Sequence, residues 1–87
     1  MLDKWRKDID ETDKAIIELI AKRMGIVKAI WKYKKENSIE VVQKWRWQEV
    51  LKDRKAIASE LGLEESFIED VWNRFHEYAI ELEKKED

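Results

Sequence analysis

The chain has 87 residues, enough for one small domain or one subunit of an assembly and too few for two independent cores. Apolar and charged residues each make up 44%, which excludes both a disordered chain and a membrane span. The 18 basic and 20 acidic side chains interleave to a net charge of −2, which leaves no basic footprint for nucleic acid. With Cys 0, disulfide frameworks, thiol chemistry and sulfur-ligated metals are excluded, and a cytoplasmic location is the expectation. One His without acids at ligand spacing argues against a metal, and no signal-peptide pattern opens the chain.

Pro 0 and Gly 2 argue against a turn-rich β protein and for long helices, so the expected fold class is all-α. A first helix is predicted from Asp3 to Glu36, with Leu2, Trp5, Ile9, Ile16, Ile20, Val27, Ile30 and Trp31 on one face. Asn37 and Ser38 end it, and the β-branched stretch at Ile39–Val42 reads as an extended connector. A second helix is expected from Lys44 to Leu61 with a stripe of Trp47, Val50, Leu51, Ile57, Ala58 and Leu61. Gly62 sits where a left-handed residue ends a helix, and Leu63 and Ile68 flank Glu64 as a hydrophobic staple would. A third helix is expected from Glu65 to Lys84, burying Ile68, Val71, Trp72, Phe75, Ala79 and Leu82. Trp5 and Trp72 read as core anchors, His76 as a packed residue, and Trp45 as facing away from the stripe.

A first helix of this length spans about 50 Å. A compact monomer of this size has a radius of gyration near 12 Å and so a diameter of about 30 Å. The helix therefore overshoots its own domain, with no breaker to fold it back. An intertwined homodimer with the long helices side by side is the expected solution.

Charges inside the apolar stripes mark a candidate site. Arg23 lies within about 40° of the first stripe's centre, Lys34 within about 20°, and Arg6 at its edge. Glu83 points the same way as Trp72 and Ala79; Arg46 flanks the second stripe and Gln43 points into it. A single long cation on such a face can keep its head in water, but several converging ones predict a polar pocket for an anionic small molecule. Arg23 and Lys34 are about 16 Å apart along the axis and can reach one ligand between them. Arg6 is about 26 Å from Arg23 and can reach that ligand only from a second, antiparallel chain.

The run Leu2-Asp3-Lys4-Trp5-Arg6-Lys7-Asp8-Ile9-Asp10-Glu11-Thr12-Asp13 resembles the opening of the all-helical chorismate mutases. So do Ile17 to Arg23, the lysine at 34, and the Leu61-Gly62-Leu63 turn with the helix after it, so that the resemblance covers essentially the whole chain. It implies a domain-swapped helical dimer that converts chorismate to prephenate by an intramolecular Claisen rearrangement, with no cofactor and no metal. Arg23 and Arg46 match substrate-binding arginines, Arg46 being grouped also with the catalytic set. Arg6 matches the arginine given by the other subunit. Lys34 matches the donor to the ether oxygen and a carboxylate, and Glu83 stands where that family has Gln, or Glu in some members, on the oxygen's other side.

The departures cluster at one end of the implied site. Trp47 replaces a Glu that accepts from the substrate's ring hydroxyl, Gln43 replaces an Asp, Ala79 a Ser, and Trp31 a frequent Gly. With five tryptophans in the chain, these imply a diverged or redesigned member. Two other readings stand beside the mutase: an isochorismate-pyruvate lyase on the same fold, favoured by the lost hydroxyl acceptor at Trp47, and a helical dimer that keeps the fold without catalysis.

Overall fold

The computed structural model describes residues 1–40 and 44–86. Three helices follow in order: α1 (Leu2–Glu36), α2 (Lys44–Glu60) and α3 (Glu65–Glu86). Among the described residues no strand occurs, and no helix is long and apolar enough to cross a membrane. The connector's Val41 and Val42, and the candidate Gln43, lie outside the described residues.

The helix ends follow from local chemistry. At the end of α2 the Leu63 N–H donates to the Ala58 carbonyl at 2.8 Å and the Gly62 N–H to Ser59 at 3.1 Å. Those two bonds, with Gly62 at φ 77, make a Schellman cap and place Leu61 in the turn rather than the helix. The end of α1 repeats the pattern: Ile39 N–H donates to Lys34 at 2.8 Å, Ser38 N–H to Lys35 at 3.3 Å, and Ser38 takes the left-handed position at φ 53. The third helix runs two residues past the expected Lys84. No breaker stops it, and Lys84 and Lys85 complement the negative end of its dipole.

The third helix is the hub, packing against both α1 and α2. Met24, Trp31 and Ala79 are buried together, with Ile20, Val27, Phe75 and Leu82 against them. On α1 that seam reads i, i+4, i+7, i+11, and on α3 i, i+4, i+7, so two helical stripes meet as in a short coiled coil. A Lys55–Glu69 ion pair at 3.4 Å adds a link between α2 and α3.

The first half of α1 has no such cover. Trp31 is 9% exposed, whereas Trp5 is 54% and Ile9 60% exposed. Trp5 is thus not a core anchor within one chain, because nothing in α2 or α3 reaches it; Trp72, half-buried at the α2–α3 end, lies edge-on to Phe75 at 5.1 Å. The chain measures 55 × 26 × 16 Å with a radius of gyration of 16.0 Å, well above the roughly 12 Å of a compact chain of this length. A second uncovered apolar surface lies beside the α2–α3 turn, a groove of about 330 Å³ lined by Ile57, Leu61, Leu63, Ile68 and Trp72.

The two left-handed positions give opposite expectations. No atom lies within 4 Å of a Cβ added at Gly62, so Gly62→Ala meets backbone strain alone. That strain costs about 1–2 kcal/mol, offset in part by about 0.4–1 kcal/mol from a stiffer unfolded chain. Urea unfolding at fixed protein concentration should show a net loss near 1 kcal/mol for Gly62→Ala and a gain of about 0.5–1 kcal/mol for Ser38→Gly. Unchanged midpoints in both variants would refute this account of the caps.

Candidate active site

Between α1 and the α2–α3 pair lies a cleft of about 320 Å³. The α1 helix gives it two cations through the same periodicity that builds the core. Lys34 is the step after Trp31 on the seam, and Arg23 stands one turn before Val27. The Schellman cap after α1 accepts on the Lys34 carbonyl itself, so the backbone under this lysine is tied down at the helix end. Arg23 is half-buried, its guanidinium carbon 5.5 Å from the centre of the Phe75 ring. Burial first, and then the nearby Arg54 charge, hold its pKa below the ordinary arginine value.

From α2 come Arg46, Trp47 and Arg54. Arg46 occupies the first turn, where the positive end of the helix dipole disfavours a cation and no acid compensates within the turn. It is ion-paired to Glu49 one turn on. Arg54 bonds Asp53 at 2.6 Å. From α3 come His76 and Ala79. The His76 imidazole stacks on the Trp47 indole, ring centres 4.1 Å apart and planes 18° from parallel. Burial first and Arg23 second push the His76 pKa down, against a smaller upward pull from Glu77, so the ring is neutral at pH 7.

The fold therefore brings Arg23, Lys34, Arg46, Trp47 and Ala79 to one cleft. Glu83 is half-buried but lines an adjacent groove with Lys28, Lys32 and Lys35. Trp31 is common to both grooves and stands at their boundary. Arg6 is exposed on the uncovered half of α1 and takes no part in the cleft of its own chain. Sequence reasoning missed Arg54, although Trp47, Val50 and Arg54 are spaced i, i+3, i+7 and so share a face. His76, read as a packed residue on the inner face of α3, does pack, on the Trp47 ring, and it does so in the wall of the cleft.

Four cations line the cleft, with no carboxylate, hydroxyl or thiol among the described lining residues. Such a surface binds and orients a multiply charged anion and stabilises negative charge that develops on it. Among the described residues no group of His, Cys, Asp or Glu is arranged to hold a metal ion. A half-buried arginine pushed down by a like charge works against the empty fold and for an anionic ligand. Arg23→Met should therefore raise the urea midpoint without ligand, while added inorganic phosphate should stabilise the wild type at least twofold more, in midpoint shift, than the variant. A lower midpoint for the folded variant would show that Arg23 contributes packing rather than ligand binding.

Comparison with known proteins gives a family match over residues 5–84, to the model described as chorismate mutase type II. The chain is 33% identical over 74 residues to the T-protein of Haemophilus influenzae, covering 85% of this chain and 20% of that protein. It is also 33% identical over 73 residues to the T-protein of Enterobacter agglomerans, covering 84% and 20%. The chain thus spans about a fifth of the length of the curated relatives it matches. No solved structure matches it.

Proposed function

The chain belongs to the chorismate mutase type II family, and we propose that it converts chorismate to prephenate as a homodimer whose two clefts each draw residues from both copies. The observation that carries this reading is the convergence of Arg23, Lys34, Arg46 and Arg54 on one cleft whose described lining has no acid.

The chemistry asks for this and little else. In the rearrangement the ether C–O bond breaks as a C–C bond forms within one molecule. No nucleophile, proton transfer, metal or cofactor takes part. The substrate is a dicarboxylate that reacts only from a compact conformer. Arg23 and Arg46 hold its carboxylates, since a guanidinium fork matches a carboxylate in two bonds and fixes its plane. Lys34 donates to the ether oxygen, on which negative charge grows as the C–O bond lengthens. Glu83, when protonated, adds a second donor at that oxygen; from its present groove it must move past Trp31 to do so. Trp47 accepts no hydrogen bond, so its part is to bound the substrate's ring and exclude water.

The dimer is supported by two apolar surfaces that one chain leaves open: the Leu2–Ile16 part of the α1 stripe and the groove beside the α2–α3 turn. Leaving them in water forfeits about 25 cal/mol for each Å² that burial would remove. The Trp72 indole N–H adds a buried donor with no acceptor among the described residues. Antiparallel pairing of two chains covers both surfaces and carries Arg6 of each chain toward the cleft of the other.

The direct test is prephenate formation from chorismate by the purified chain. Lys34→Ala should lower kcat by about 10²–10³, the effect of losing one donor to a developing oxyanion, with far-UV helicity near wild type. A variant that keeps more than about a tenth of the rate removes Lys34 from the mechanism.

The shared site has its own test. Arg6→Ala and Arg23→Ala chains should each be nearly inactive alone. Mixed, unfolded and re-annealed, they should recover about a quarter of the wild-type activity, because half of the dimers are mixed and each of those holds one site free of both lesions. If mass spectrometry confirms exchange and no activity returns, the sites are not shared between chains.

A further inference from the structure

His76, stacked on Trp47, has no part in the mechanism above. His76 stands on α3 in the wall of the cationic cleft, one face against the Trp47 indole. From α1 it meets the Arg23 charge; Lys34 also lines the cleft, as do Arg46 and Arg54 from α2. On its own helix only Glu77 pulls the other way. In the proposed dimer Arg6 of the partner subunit adds a further cation. We propose that His76 is a substrate-binding residue that takes up a proton when the dianionic substrate enters the cleft, becoming an added cation on the Trp47 platform. This rests on the mutase reading of the cleft.

In the empty cleft burial first, and then the Arg23 charge, oppose a proton on the ring. Two carboxylates entering the same space offset the Arg23 charge and add their own attraction for an imidazolium, against the cost of burial. The indole face supports an imidazolium through its quadrupole, and of the aromatic side chains Trp does so best. Stacking at 4.1 Å keeps the ring in place through the change, so only the proton moves. The proton comes from solvent, and no covalent bond of the substrate is involved.

Linkage fixes the sign. If ligand raises the His76 midpoint, protons must tighten the ligand by the same factor. Affinity for a dicarboxylate should rise as pH falls through the midpoint of the complex and level off below the midpoint of the free protein. A shift of about one pH unit corresponds to about tenfold in affinity.

His76 is the chain's single histidine, so its imidazole Cε1–H signal can be followed by NMR without assignment ambiguity. Titration between pH 5.5 and 8 with and without saturating prephenate, the dicarboxylate product, should raise the midpoint by about one unit. Calorimetry in buffers of different ionisation heat should show net proton uptake between the midpoints of the free protein and the complex, and His76→Gln, which cannot take up a proton, should abolish it and leave prephenate affinity flat with pH within about twofold. An active enzyme that binds prephenate with no change in the His76 midpoint overturns this inference alone. A chain that neither binds prephenate nor forms it overturns the mutase reading and this inference together.

Discussion

The length of α1 governs this molecule. At 35 residues it is much longer than α2 or α3, and a single apolar seam runs along most of it. Helices stop where a breaker or a cap stops them, and between Leu2 and Glu36 there is only Gly25, which has open space around it and ordinary helical backbone. Two shorter helices can cover only the second half of such a rod. They do so through α3, with α2 held on the far side and the cleft left in the angle. The cleft and the uncovered half of α1 are thus two results of one mismatch in length.

Within the cleft, attraction has been concentrated at the expense of the empty state. Arg23 sits over Phe75 with a like charge nearby, Arg46 sits against the unfavourable end of a helix dipole, and His76 is denied its proton. The like charge at Arg23, the helix-dipole end at Arg46 and the burial of His76 all oppose positive charge in the cleft, partly offset by the Phe75 ring under Arg23 and the Glu49 carboxylate beside Arg46. Trp31 and Trp47 add large flat walls where less bulk would leave a wider opening, and Trp31 lines both the cleft that holds Lys34 and the groove that holds Glu83. The site thus has an even floor of positive charge and a restricted set of shapes it admits.

Much of this was legible in the sequence. The helices were readable because Pro is absent and apolar spacing near 3.6 is sustained, and Gly62 could be assigned its left-handed turn from its position alone. Ser38 in the same conformation was not foreseeable, since serine has no special claim on it and the hydrogen bonds of Ile39 and Ser38 decide the matter. Arg23 and Lys34 stood out as cations on an apolar face. Arg54 did not, because an arginine beside Asp53 on a highly charged helix looks like any solvated pair until α1 is laid across it. His76 was readable as a packed residue on an inner face; that its packing partner is the Trp47 ring, in the wall of the cleft, was not. Trp5 shows the converse limit, because periodicity places a side chain on a face without saying whether the same chain will cover that face.

The cap after α1 has a consequence for motion. The terminal turns of a helix ordinarily fray, opening at almost no free-energy cost and exchanging their amide protons first. Along α1 that order is reversed at one end. The first turns lack tertiary cover within the chain, while the last ones carry Trp31 into the core against Ala79 of α3 and are closed by the turn at Ser38, whose hydrogen bonds land on Lys34 and Lys35. A lysine two residues before the end of a long helix would normally ride on its most mobile backbone. Here the capping bonds at Lys34 and Lys35 and the buried Trp31 one turn before oppose that fraying, so the reach of its ammonium group depends more on its own side-chain torsions than on breathing of the helix beneath it.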